Sequence, residues 1–161
     1  MKLQQTNIER LGEWIDLYQD QLYRYAFFRL GNRADAEDVL QDAFLKIASR
    51  VAEVRNPKAY LYSVVSSGCV DMLRRRTKSA LSIDERMALA DQPEMAAEEE
   101  EFIRINKLLN KLPEKQCEVI RLHIHGELKF TEIAELMEMP VSTIKSRFSS
   151  GIESLKQLFI N

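Results

Sequence analysis

Ser142, Thr143, Lys145, Ser146 and Arg147 crowd short hydroxyls and two long cations into the opening turns of one amphipathic segment. Those groups at the start of a helix suit hydrogen bonds to phosphate oxygens and to base edges in a DNA major groove. Behind them Val141, Ile144, Phe148, Ile152, Leu155 and Leu158 recur at three- and four-residue spacing, which buries one side of a helix. Upstream, Ile133, Ala134, Leu136 and Met137 mark a short helix over Thr131–Met137, and Glu138-Met139-Pro140 breaks it. Helix, short turn, helix is the form of a DNA-reading pair. The plainer alternative is a two-helix corner with a solvated polar face.

Two other charged constellations stand out. Asp35, Asp38 and Asp42 fall together on one helix face, with Glu37 and Gln41 nearby. Carboxylates early in a helix also favour its dipole, and a solvated face alone would explain part of the pattern. As a metal pair for a nuclease, Asp38 and Asp42 sit one turn apart on an outer polar face with no nucleophile or histidine beside them. Arg74-Arg75-Arg76 followed by Lys78 places four cations in five residues, a stripe that can follow phosphates as well as stabilise a helix end. His123 and His125 form a pair without a cysteine or carboxylate at ligand spacing, so no metal site is expected. Cys69 and Cys117 read as reduced, buried small residues.

The elements that must position these groups are all helical. Glycine numbers only five and proline four in 161 residues, and helical spacing predominates over strand alternation. Helix one is predicted from Ile8 to Leu30, with Leu11, Trp14, Ile15, Tyr18, Leu22, Tyr25 and Ala26 as its stripe. Gly31-Asn32 should stop it and cap the next. Helix two is predicted over Arg33–Arg50, burying Ala36, Val39, Leu40, Ala43, Phe44 and Ile47. Asn56-Pro57 starts helix three, which buries Leu61, Val64, Val65, Gly68, Cys69, Met72 and Leu73. A helix packing Phe102, Ile105, Leu108, Leu109 and Leu112 follows, then a break at Leu112-Pro113 and a helix over Glu114–His125. The fold class is therefore all-α: two small helical domains joined by a flexible acidic linker, the C-terminal one a helix-turn-helix. The expected divisions are 1–76, 77–101 and 102–161.

Charge supports that division. Residues 1–76 hold 12 Lys/Arg and 10 Asp/Glu, residues 77–101 hold 2 and 8, and residues 102–161 hold 9 and 7. Two mildly basic modules thus flank an acidic linker. With a net charge of −2, the chain should bind DNA weakly by itself, because phosphate neutralisation dominates affinity. A partner is expected to supply the rest. No apolar run approaches a membrane span, and MKLQQTNIER lacks the apolar core of a signal peptide.

At this point the residues match a family. Gly31-Asn32-Arg33-Ala34-Asp35-Ala36-Glu37-Asp38-Val39-Leu40-Gln41-Asp42-Ala43-Phe44 resembles the second conserved region of bacterial sigma factors. Ala59-Tyr60-Leu61-Tyr62, continuing to Asp71-Met72-Leu73-Arg74-Arg75-Arg76, resembles the promoter-melting helix after it. Leu112-Pro113-Glu114, Ile133-Ala134-Glu135 and Ser142-Thr143-Ile144-Lys145-Ser146-Arg147 resemble the fourth region. Their order, the short linker and the small size resemble the extracytoplasmic-function (ECF) group.

The resemblance implies a promoter-specific initiation factor, not an enzyme. Asp38, Gln41 and Asp42, with Asp35 at the helix start, would dock on a basic coiled coil of core RNA polymerase. Lys58, Arg74, Arg75 and Arg76 would track the separated −10 strand. Ser66 and Ser67 would lie along it, and Tyr60 and Tyr62 would offer rings to unstacked bases, one of the two being core. Stacking on a ring is worth about 1–3 kcal/mol per base. The loop Val51–Asn56 would help form the pocket for a flipped base. Ser142, Thr143, Lys145, Ser146, Arg147 and Ser149 would read the −35 element, Lys145 by a contact to guanine. The acidic linker would pass through a basic channel of the polymerase.

The family implies promoter DNA and core polymerase as partners, an anti-sigma factor that covers both working faces, no cofactor, a cytoplasmic location and a monomeric free protein. This chain departs from the family pattern at Asp42 (commonly Glu), Ser67 (Asn), Lys129 (Ser), Glu138 (Gly) and Ser150 (Arg). A helix-turn-helix regulator acting without polymerase remains the alternative. It leaves the acidic face of helix two and the 74–76 arginines without a joint purpose.

Overall fold

The computed structural model describes residues 2–78 and 97–160, and every element in them is helical. The chain divides into two compact units, Met1–Leu81 and Ser82–Asn161. The central part of the expected acidic linker lies outside the described residues. Its predicted limits overlap helix at both ends, since one helix runs to Lys78 and the next starts at Ala97.

The first unit packs three helices: α1 (Lys2–Leu30), α2 (Arg33–Ala48) and α3 (Pro57–Lys78). α1 begins six residues before the predicted Ile8, because KLQQTN contains neither glycine nor proline to stop propagation. It ends as expected. Gly31 takes a left-handed φ of 70°, and the Asn32 side-chain oxygen accepts from the Asp35 backbone N–H at 3.1 Å. α2 stops at Ala48, two residues early. The Ser49 hydroxyl bonds back to the Lys46 carbonyl at 2.9 Å, and a 3-10 turn over Val51–Glu53 follows with Val51 buried. Asn56 caps α3 by accepting from the Ala59 N–H at 3.2 Å. Leu22, Tyr25, Ala36, Ile47, Leu61 and Val65 lie at the centre of the core. Gly68 brings α3 close to α2: a Cβ there would lie 2.9 Å from Val39 Cγ1.

The second unit comprises α4 (Ala97–Leu109), α5 (Glu114–Ile120) continued by a π-helical turn (Arg121–His125), α6 (Phe130–Met137) and α7 (Val141–Ile160). Leu109, Leu112, Cys117 and Ile120 form its core with Ile105, Phe148, Ile152, Leu155 and Leu158 around them. Gly151 of α7 faces Ile120, where an added Cβ would lie 2.6 Å from Ile120 Cδ1.

Arg121 is 3% exposed and was not singled out by the sequence pattern. Its guanidinium donates to Asn110 Oδ1 at 2.9 Å and Glu114 Oε1 at 3.4 Å, with Glu118 Oε2 at 3.8 Å. It thereby ties the turn after α4 to α5. Arg121→Leu leaves Asn110 and the half-buried Glu118 without their cation. It is expected to destabilise this unit by about 2–3 kcal/mol, read from urea midpoints.

α6 starts one residue earlier than predicted. Lys129 precedes it and cannot accept a capping bond with its side chain, but its backbone N–H donates to Glu132 Oε1 at 2.9 Å, half of a capping box. The helix ends in a Schellman turn. The Met139 N–H donates to the Ala134 carbonyl at 2.9 Å and the Glu138 N–H to the Glu135 carbonyl at 3.3 Å, with Glu138 left-handed at φ 55°. Glycine adopts this conformation without the Cβ clash. Glu138→Gly should therefore stabilise the unit by about 1 kcal/mol, raising the urea midpoint reported by the amides of α6.

Candidate nucleic-acid and protein interfaces

α2 presents Asp38, Gln41 and Asp42 on one exposed stripe, opposite the buried Ala36, Val39, Leu40, Ala43 and Ile47. Sequence reasoning missed Leu45 on the same stripe, although it lies one turn beyond Gln41 and is 72% exposed. Asp35, one turn before Asp38, is only 26% exposed and is engaged by Arg76. The Nε of Arg76 donates to its Oδ2 at 3.2 Å, the Nη2 of Arg76 pairs with the same oxygen, and Nη1 donates to the Leu30 carbonyl at 2.8 Å. The structure thus pairs with each other two residues that the sequence assigned to different partners, their side chains 21–26% exposed.

On α3, Tyr60, Ser67 and Arg74 recur every seven residues, so they line one side of the helix. Tyr60 is half-buried, whereas Ser67, Arg74, Arg75 and Lys78 are exposed, and Lys58 is half-buried near the helix start. Asp71 lies on the same stripe, a carboxylate unfavourable to phosphate that the sequence reading did not weigh. Tyr62 is the core member of the tyrosine pair. It is 0% exposed, meets Tyr25 edge-on at 6.2 Å, and donates to Gln21 Oε1 at 3.4 Å. Its expected role as a base platform is corrected, because no ring face is open. The signal was available: Tyr62 stands three and seven residues before Val65 and Cys69, both buried. Ser66 is likewise turned inward, accepting from the Tyr25 hydroxyl at 3.2 Å.

On α7, Ser142, Lys145, Ser146 and Ser149 form a continuous exposed stripe opposite the buried Ile144 and Gly151. Thr143 and Arg147 are half-buried at its margins, and Arg147 Nη1 is buried with no hydrogen-bond partner among the described residues. The exposed stripe is thus narrower than the expected reading face, with Lys145 as its central cation. Packing around His123 fixes α7 against α6. The imidazole stacks on Phe130 at 4.2 Å and meets Phe148 edge-on at 4.9 Å, while Nδ1 lies 2.8 Å from the Leu128 carbonyl. That contact makes Nδ1 the protonated nitrogen. The histidine serves as an aromatic wedge. Among the described residues no group of three or more His, Cys, Asp or Glu could hold a metal ion. No described helix is long and apolar enough to cross a membrane.

Comparison with known proteins matches both units. Residues 14–79 match the Sigma-70 region 2 family and residues 102–155 match the Sigma-70, region 4 family. The ECF RNA polymerase sigma factor SigW of Bacillus subtilis is 28% identical over 92% of this chain and 88% of its own length. The RNA polymerase sigma factor SigV of the same organism is 28% identical over 97% and 95%. Two solved structures share the fold. CnrH, in complex with the cytosolic domain of CnrY, has a TM-score of 0.73 at 20% identity, covering 98% of this chain and 92% of that one. The sigma factor RpoE with the anti-sigma factor NepR, from Bartonella quintana, has a TM-score of 0.71 at 21% identity, covering 94% and 97%. With both regions matched in order, the chain belongs to the sigma-70 family of RNA polymerase sigma factors, in the extracytoplasmic-function group.

Proposed function

We propose a division of labour for this sigma factor in directing promoter-specific initiation. The first unit docks on core RNA polymerase through Asp38, Gln41 and Asp42 and holds the melted −10 strand along Tyr60, Ser67, Arg74 and Arg75. The second unit reads the −35 element with Ser142, Lys145, Ser146 and Ser149. Thr143 and Arg147 serve flanking phosphates. The observation that carries this reading is that α2 and α3 expose surfaces of opposite charge, the first suited to a basic protein and the second to a nucleic-acid backbone. Acid on one helix and cations on the other would serve no joint purpose in a protein that only grips duplex DNA.

The working location is the compartment that holds core polymerase, the cytoplasm. Two structural relatives were solved with a partner, NepR as an anti-sigma factor and the cytosolic domain of CnrY. We extend this to the present chain: an anti-sigma protein would bind it and, by covering the α2 and α7 stripes, keep it from polymerase and DNA. A direct test compares binding to a promoter fragment by the chain alone and by the chain with core polymerase. Sequence-specific retention only in the presence of core supports the reading. Tight, specific duplex binding by the chain alone contradicts it and favours an independent regulator.

A further inference from the structure

Past Cys69 no residue of α3 is fully buried, although Val70, Met72 and Leu73 are half-buried, and the helix continues nine residues to Lys78 and carries its exposed cations there. Apolar packing therefore holds the segment that presents Arg74 and Arg75 less firmly than the part of α3 up to Cys69. A helix end with little fully buried surface frays more readily than its middle. What reaches back from this segment is Arg76. Its Nη1 takes the carbonyl of Leu30, the last residue of α1, and its Nε and Nη2 take one carboxylate oxygen of Asp35 in the first turn of α2. The carbonyl of a last helical residue has no partner within its own helix, and the negative end of the α1 dipole lies there. The guanidinium thus joins the ends of three helices at the Gly31-Asn32 corner. Asp35 and Arg76 are 21–26% exposed on their side chains, so water screens the pair only partly.

We propose that Asp35 and Arg76 are positioning residues for promoter opening: a strut that holds the terminal turns of α3 against the α1–α2 corner, so that Arg74 and Arg75 meet the separated strand in register. This rests on the reading of α3 as the −10 helix. The strut also joins the docking helix to the melting helix, three residues before Asp38. Neither member touches DNA or polymerase.

The sign of one substitution separates the strut from direct electrostatics. Asp35→Asn removes a negative charge near a DNA-binding segment, which by direct electrostatics would strengthen attraction to phosphate. Loss of the strut predicts the opposite. The experiment uses the full chain with core polymerase on a promoter fragment that supports run-off transcription with the wild-type chain. It measures permanganate reactivity of the −10 thymines, core affinity, and hydrogen exchange of amides 74–78 in the chain alone. Asp35→Asn and Arg76→Ala are each expected to lower the open-complex fraction about three- to tenfold, and the double variant to lose no more than the worse single, as coupled partners do. Core affinity should stay within about twofold, and exchange at 74–78 should accelerate by a factor similar to the loss of opening. Arg76→Lys, which keeps the charge but not the forked geometry, should recover only part of the loss.

Opening by Asp35→Asn equal to or above wild type, with Arg76→Ala losing opening and about one unit of salt slope, would overturn the strut and make Arg76 a phosphate ligand. Weakened core affinity in Asp35→Asn would overturn it in favour of a docking role. If the wild-type chain opens no promoter, the −10 reading itself fails. The exchange measurement needs neither polymerase nor DNA, and unchanged protection in Asp35→Asn would then overturn the strut on its own.

Discussion

Asp38→Arg combined with Asp42→Arg is expected to abolish binding to core RNA polymerase while the helical content stays that of the wild-type chain. Both side chains are exposed on the stripe of α2 that faces away from its core, so neither contributes to packing. Surface substitutions of this kind usually alter stability by less than about 0.5 kcal/mol. At an interface with a basic surface the same exchange replaces two attractions by two repulsions. Close charge pairs across an interface couple by about 1.5 kcal/mol or more each, so losing two and reversing them should weaken affinity at least a hundredfold. Titration of labelled chain with core polymerase, followed by anisotropy, measures it. The wild-type affinity should also fall with added salt, as exposed charge attraction does. Undiminished binding by the double variant would remove α2 as the docking face.

Lys145→Ala should have the second-largest effect, and a more selective one. The ammonium lies at the centre of the exposed stripe of α7, flanked by Ser142, Ser146 and Ser149, with Ile144 buried behind it. The helix is held by the His123, Phe130 and Phe148 ring cluster, so truncation at Lys145 should leave its placement unchanged. A side chain reading one base edge contributes about 1–3 kcal/mol of discrimination. The expected outcome is a five- to hundredfold loss of transcription at the best promoter, with preference relaxed at a single −35 base pair. Run-off assays on templates mutated one −35 position at a time check it. Equal loss on every template would mark Lys145 as a phosphate contact, and no loss would remove it from the interface.

Much of this architecture follows from local signals. The Gly31-Asn32 stop and start, the Asn56-Pro57 cap and the buried face of α7 each depend on residues within a turn or two of one another. Such patterns survive folding because they are fixed by backbone geometry and by helical spacing. The positive φ at Glu138 was signalled only by the resemblance, whose members commonly have glycine there, because glutamate itself gives no such signal. The sites were less so. Asp35 and Arg76 were assigned to different partners because each matched a charged cluster, yet they pair with each other across 41 residues of sequence. Arg121 was overlooked because nothing in a one-dimensional pattern separates a cation that enters the core from one that leaves it. Tyr60 and Tyr62 both match an aromatic platform by type, and the spacing of Tyr62 to Val65 and Cys69 is what places it on the buried side. Charge identity thus marks a candidate interface on a helix, but long-range pairing determines which members of the cluster remain available.

The central claim is that this chain confers promoter-specific initiation on core RNA polymerase, and run-off transcription tests it most directly. Purified bacterial core polymerase would be supplied with a pool of bacterial promoter fragments, with and without the chain. The account predicts chain-dependent transcripts from discrete start sites, preceded at fixed distances by shared −35 and −10 sequences. Core binding and transcription with no chain-dependent start site anywhere in the pool, together with specific duplex binding by the chain alone, would contradict it.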